Sequence, residues 1–295
     1  MQSATNSSPE LPLSSEGGWE RVIRPRQGIA SLDVKELWYY RELLVFLIWR
    51  NILIRYKQTA IGIAWAVAQP LLTMLVLTFV FKNLAGMESA DAPYAIMTLA
   101  AILPWTLFAN ALTAGSNSVV AAGHMVRKIY FPRLFIPAAD GLSGLLDFLI
   151  SLILLFLVMG IFLILGENIA FRWHLLLLPV FTLVALLAAL GVSFWFSALN
   201  VKYRDVKYVI PFITRMGIYI SPVGFMSAVV PEQWRFAYSL NPMVGVIDGF
   251  RWAILGSNFE PYWPGFWASI GVVVVIFVGG LFFYRATEKT FADVI

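Results

Sequence analysis

Long apolar runs alternate along the 295 residues with short clusters of polar and basic side chains. Six runs of close to twenty residues stand out, at 61–81, 94–115, 137–165, 174–199, 207–226 and 266–284. A helix rises 1.5 Å per residue, so the 21 residues of the first run reach roughly 31 Å, enough to cross a hydrocarbon core. The pattern predicts an all-α integral membrane protein with six transmembrane helices.

Three segments follow other patterns. In "KELWYYRELLVFLIWRNILIRYK" (35–57), Leu37, Tyr40, Leu44, Leu47 and Ile48 recur at three- and four-residue spacing, with Arg41, Glu42, Arg50 and Asn51 elsewhere on the wheel. Its apolar core of roughly seven residues is too short to span, which predicts an amphipathic helix lying in the membrane interface. Residues 117–133, "NSVVAAGHMVRKIYFPR", read as a loop with a short helical stretch ended by Pro132. Residues 227–264 are apolar but broken by Pro231, Pro242, Pro261 and Pro264, and suit outer re-entrant helices buried against protein.

Composition agrees with the pattern. Hydrophobic residues make up 60% of the chain and charged ones 13%, with a mean hydropathy of +0.78. A soluble domain carries about a quarter charged residues. The net charge of +4 implies no nucleic-acid partner, because Lys and Arg gather on the cytoplasmic side of membrane proteins in any case. The absence of cysteine excludes disulfides, thiolate metal sites and a cysteine nucleophile. Residues 1–34 are polar and rich in Ser, Pro and Glu, which predicts a disordered cytoplasmic tail rather than a cleavable signal. A second short tail is expected over 286–295, leaving 58–285 as the membrane domain.

Basic residues set the orientation. With both termini in the cytoplasm, sixteen Lys and Arg fall inside, from Arg21 to Lys57 and in the groups Arg127, Lys128, Arg133; Lys202, Arg204, Lys207; and Arg285, Lys289. Only Lys82, Arg172, Arg235 and Arg251 fall outside, and Arg215 lies within the fifth run. The positive-inside rule therefore turns the 117–133 loop toward the cytoplasm and 227–264 outward.

Several chemistries are excluded. No G-x-x-x-x-G-K-[ST] loop is present, so ATP cannot bind here in the P-loop manner. The two histidines, His124 and His174, fall on opposite sides and cannot share a metal. No catalytic, cofactor or metal-binding residue is assigned. Asp140 and Asp147 are seven apart on one helix face, and are expected to meet Arg215 across helices as a structural pair, with substrate contact the second reading. Asp248 and Arg251 are expected to pair locally, and Gly245 with Gly249 to allow close helix packing.

Four segments then converge. "RELLVFLIWRNILIRYKQTAIGIAWAVAQPLLTMLVLTFVF", "VRKIYFPRLFIP", "NVKYRDVKYVIPFITRMGIYISPVGF" and "LNPMVGVIDGFRWAILG" resemble, in order and spacing, ABC-2-type permeases that export polysaccharides such as O-antigen, capsule and teichoic acid. The resemblance runs from about Leu37 to Tyr284. It implies a homodimer with one half-channel per chain, driven by two copies of a separate ATPase subunit. That ATPase would hold the ATP and magnesium, leaving no cofactor on this chain. The substrate would be a lipid-linked polysaccharide, moved from the inner to the outer face of the plasma (bacterial inner) membrane.

The resemblance also assigns roles to residues. The loop carrying Arg127, Lys128, Tyr130, Phe131, Pro132 and Arg133 is similar to the family's ATPase-coupling helix, against the alternative of an aromatic anchor at the interface. Sugar faces stack on rings, which makes Trp65, Phe79, Phe81, Tyr219, Phe225, Trp234 and Tyr238 candidates for the channel lining among 23 Phe, 11 Tyr and 11 Trp. The carrier lipid in this family bears a pyrophosphate. Arg55, with its forked donors, Tyr56 and the point charge of Lys57 are placed to receive it. Plain attraction of basic residues to anionic lipid, about 1 kcal/mol each, is the competing explanation. Three rival functions remain: a permease for a small amphiphile or drug, a membrane-embedded glycan transferase, and a passive channel.

Overall fold

The computed structural model describes residues 34–57, 62–87, 92–128, 131–167, 173–256 and 259–291. Apart from Val34, the N-terminal tail expected over 1–34 lies outside them. Helices and short helical turns are the regular elements among the described residues.

Two helices open the chain, α1 (Val34–Tyr39) and α2 (Arg41–Tyr56). Leu47 is buried, and Leu37, Tyr40, Leu43, Leu44 and Ile48 join it in packing on Phe135 and Ala139. Val45, Phe46, Trp49 and Ile54 stay exposed on the outer side of the helix. So α2 presents apolar residues both to the bundle and away from it, as a helix lying at a membrane surface does.

Next come α3 (Gly62–Leu77), prolonged by a π-helical stretch over Thr78–Leu84, and α4 (Tyr94–Ala121). The short α5 (Gly123–Lys128) leads to α6 (Phe135–Ser143) and α7 (Leu145–Ile164), which are separated only by Gly144. A 3₁₀ turn (Trp173–Leu177) runs into α8 (Leu178–Lys202), followed by α9 (Val206–Ile220). The chain then forms α10 (Glu232–Tyr238), α11 (Pro242–Leu255) and α12 (Trp263–Thr287).

Helix α4 is mostly buried and forms the centre, surrounded by α3, α6, α7, α8, α9 and α11. Small residues bring its neighbours close. A side chain at Gly191 of α8 would place its Cβ 2.7 Å from the Cα of Phe277, so only glycine lets α8 and α12 approach this far.

Five helices among the described residues are long and apolar enough to cross a membrane: Ala64–Leu84, Tyr94–Ala121, Phe135–Ile164, Trp173–Lys202 and Trp263–Thr290. The run predicted at 207–226 is the exception. Its helix α9 has 15 residues, about 22 Å at the α-helical rise, and ends where Ser221 turns extended before Pro222. The tail expected from residue 286 is also different: α12 continues to Thr287, a 3₁₀ turn follows, and Phe291 is fully buried against Tyr284.

Past Pro222 the backbone loses its helical partners, and side chains replace them. Buried Arg251 donates to the carbonyls of Val223 (2.9 Å), Phe225 (2.8 Å) and Met97 (3.3 Å). Tyr94 donates to Gly224, Tyr238 to Ile220 (2.9 Å), and the Asn241 amide to the Ser221 hydroxyl (3.0 Å). Irregular backbone in an apolar setting persists only when its polar groups are satisfied internally. Arg251 thus serves carbonyls, and the expected Asp248–Arg251 ion pair is not among the ion pairs of the described residues; Asp248 accepts from Ser227 instead. Gly245 and Gly249 do mark close approaches, but to different helices. A Cβ at Gly245 would meet Ser269 of α12 at 2.6 Å, and one at Gly249 would meet Phe181 of α8 at 2.7 Å.

Candidate functional site

The last two turns of α2 carry polar groups toward the bundle. Asn51 and Arg55 are four residues apart and share a face, as do Asp140 and Asp147 at a separation of seven on the continuous α6–α7 pair. The two faces meet as a ladder. The Asn51 amide donates to the Asp140 carboxylate, and Arg50 donates in turn to the Asn51 side-chain oxygen at 3.1 Å. One step further, the Arg55 guanidinium lies 2.5 Å from Asp147, and the Tyr56 hydroxyl donates to the same carboxylate.

The acidic residues therefore share a face as expected, but their partner is not Arg215. Arg215 is exposed on α9 and joins no ion pair among the described residues. The reason is proximity. Helix α2 packs directly on α6, so its cations reach the carboxylates first.

Around Arg55 and Asp147 opens a cavity of about 410 Å³. Trp65, Gln69 and Pro70 of α3 form one wall, Thr106 and Asn110 of α4 another, and Phe148 and Ser151 of α7 the third. That is the size of an ordinary small-ligand site, mostly apolar with a few convergent polar groups. Arg55 is 38% exposed and Asp147 21%, so the pair sits at the boundary of solvent rather than sealed from it. Burial, reinforced by the bond to Asp147, pushes the Tyr56 hydroxyl above its usual range, which keeps it a proton donor. Lys57 is exposed and outside the cavity lining.

The polar wall on α4 escaped the sequence reading. Thr106, Asn110, Thr113 and Asn117 repeat at intervals of four, three and four, so they stack along one face. All four remain at least partly exposed on a helix that is mostly buried. The Thr113 hydroxyl donates to Ala109 (2.7 Å), and the Asn117 amide to Thr113 (2.8 Å). The spacing was present in the sequence, hidden inside a run that reads as uniformly apolar.

Against known families, the profile of the ABC-2 type transporter matches residues 42–255. The chain belongs to the ABC-2 type transporter family. It is 27% identical over 262 residues to the O-antigen export system permease protein RfbA of Myxococcus xanthus, covering 88% of this chain and 98% of that protein. It is 25% identical over 269 residues to RfbA of Klebsiella pneumoniae, covering 90% and 100%. To the polysialic acid transport protein KpsM of Escherichia coli it is 23% identical over 241 residues, covering 81% and 91%.

The remaining assignments in this ABC-2 chain divide. The backbone of Arg127 and Lys128 lies in α5, while Tyr130 and both of those side chains fall outside the described residues. Phe131 is not an exposed docking knob. It is 6% exposed and packs in a cluster with Val119, Leu134, Phe194, Tyr284 and Phe291. Pro132 is buried beside it. Arg133 donates to the Glu288 carbonyl at 2.5 Å, and its own carbonyl accepts from Tyr284 at 2.9 Å. The loop is thereby fastened to the end of α12, because an aromatic ring left in water costs more than one packed on a neighbour.

The seven aromatics proposed for the channel are distributed over α3, its π-helical extension, α9, the segment after it and α10. Trp65 lines the cavity. Phe81, in the π-helical stretch, packs on Phe225 with ring centroids 6.4 Å apart. Tyr238 is held by its hydroxyl to Ile220, and Phe79, Tyr219 and Trp234 are exposed.

Proposed function

We propose that this chain is the membrane-spanning subunit of an ATP-driven exporter of a lipid-linked polysaccharide, moved from the cytoplasmic to the outer face of the bacterial inner membrane. Family membership supports the class, and the near full-length similarity to O-antigen permeases and to KpsM supports the substrate. The observation that carries the reading at the site is the Arg55–Tyr56–Asp147 cavity, where the surface helix meets the start of the first span. An anionic lipid head at the membrane surface would meet a forked cation there.

In this reading both termini are cytoplasmic, two copies of the chain form the channel, and two ATPase subunits bind ATP and magnesium and dock near α5. The chain itself performs no catalysis. The Thr106–Asn117 stripe and exposed aromatics such as Trp65 offer hydroxyls, amides and stacking faces to passing sugars. A permease for a small amphiphile is the second reading, favoured by the modest size of the cavity.

Export in cells lacking their own permease tests the proposal. Arg55→Lys keeps the charge but loses the fork. It should leave membrane insertion and ATPase association intact and lower surface glycan about tenfold, as expected when a bidentate phosphate contact is lost. Normal export by Arg55→Lys and by the double variant Arg55→Ala with Lys57→Ala would remove the head-group role from this site.

A further inference from the structure

The cavity contains its own anion. Asp147 reaches into it from the first turn of α7 and engages both groups assigned to the substrate, the Arg55 guanidinium at 2.5 Å and the Tyr56 hydroxyl. We propose that Asp147 is an internal occupant of the head-group site, displaced from Arg55 and Tyr56 when a diphosphate lipid head binds, and that it lowers the site's apparent affinity for every anionic head that has to expel it. The inference rests on the head-group reading above.

Three features carry it. First, the ion pair is at the solvent boundary, with Arg55 38% and Asp147 21% exposed. Such pairs are screened by water and exchange readily. Second, among the described residues no other carboxylate lines this cavity, so one anion is exchanged for another in the same space. Third, the remainder of α2 is held independently. Asn51 binds Asp140, and Leu47 packs on Phe135 and Ala139. Releasing Asp147 therefore does not detach the helix.

Every anionic head must expel the same carboxylate before it reaches the guanidinium fork, so Asp147 raises the threshold for binding by one common factor. A singly charged phosphodiester, the kind abundant in the membrane, replaces one negative charge by one and gains little from the exchange. A diphosphate brings more charge and more acceptor oxygens, and still wins it.

The test uses the complete transporter with its ATPase in lipid nanodiscs. The probes are a polyprenyl diphosphate, the matching polyprenyl monophosphate and phosphatidylglycerol. The wild-type complex should prefer the diphosphate over both others. Asp147→Asn should bind all three probes about tenfold more tightly, with the order of preference kept. Weaker binding of all three probes, with the preference kept, would show that Asp147 merely positions Arg55 and would overturn the proposal. Carboxyl labelling of the wild-type complex by a water-soluble carbodiimide gives a reading independent of any variant. Labelling of Asp147 should rise when the diphosphate is added, and unchanged labelling at saturating probe overturns the displacement. If the wild-type complex binds none of the probes, the head-group reading itself fails.

Discussion

Arg251 shows how one residue can hold a broken stretch of chain. Its guanidinium supplies donors to the Val223 and Phe225 carbonyls, which no helix serves, and to Met97 of α4, and it is 2% exposed. Lysine keeps the charge but cannot reach all three. Each buried carbonyl left without a donor costs about 1–3 kcal/mol, so Arg251→Lys should lose about 2 kcal/mol or more. A thermal unfolding midpoint in detergent equal to that of the wild type would contradict this. Phe131 makes the converse point. Its ring packs inside the chain, so Phe131→Ala should cost about 3 kcal/mol by leaving a cavity. The variant should melt earlier even without the ATPase, and a loss confined to ATPase association would restore the docking role. At this scale the sequence showed that Asp140 and Asp147 share a face and that Arg55 and Tyr56 sit at a span's edge. It did not show that these belong together. Helical periodicity assigns residues to faces, but the face to which α2 turns depends on packing with α6, ninety residues away.

Elements were legible wherever one period governed a long run. Helices are observed within 35–57, within the proline-broken segment 227–264 and over five of the six apolar runs. Over the sixth, 207–226, the helix is shorter, because the run includes Pro222, where α9 stops and the backbone turns to Arg251 and Tyr94 for partners. Hydropathy counts residues and does not register such a stop. Packing between elements yields its own prediction. At Gly191 a methyl group would meet the backbone of Phe277, whereas at Gly160 of α7 it would meet nothing within 4 Å. Gly191→Ala should therefore destabilise by about 1–3 kcal/mol as α8 and α12 are forced apart. Gly160→Ala should be neutral or slightly stabilising, since alanine is the better helix former. Equal effects of the two in the same unfolding assay would mean that the α8–α12 contact is looser than described.

For the whole molecule, the charge bias of sixteen to four predicts which end faces the cytoplasm. The chain has no cysteine, so single-cysteine variants report without background. Arg204 and Glu260 are both exposed and lie on opposite predicted sides, unlike Ser118, which is 2% exposed and would be silent in either orientation. Glu260→Cys should react with an impermeant thiol reagent added to intact cells, and Arg204→Cys only after the membrane is opened. The reverse pattern would invert the topology. Most direct of all is transport itself. The chain and its ATPase, reconstituted in proteoliposomes with a diphosphate-linked glycan on the ATPase-bearing face, should move the glycan to the far face only when ATP and magnesium are present, and the Arg55→Lys complex should do so about tenfold more slowly. Glycan crossing without ATP, or ATP hydrolysis that never delivers glycan to the far face, would contradict the account.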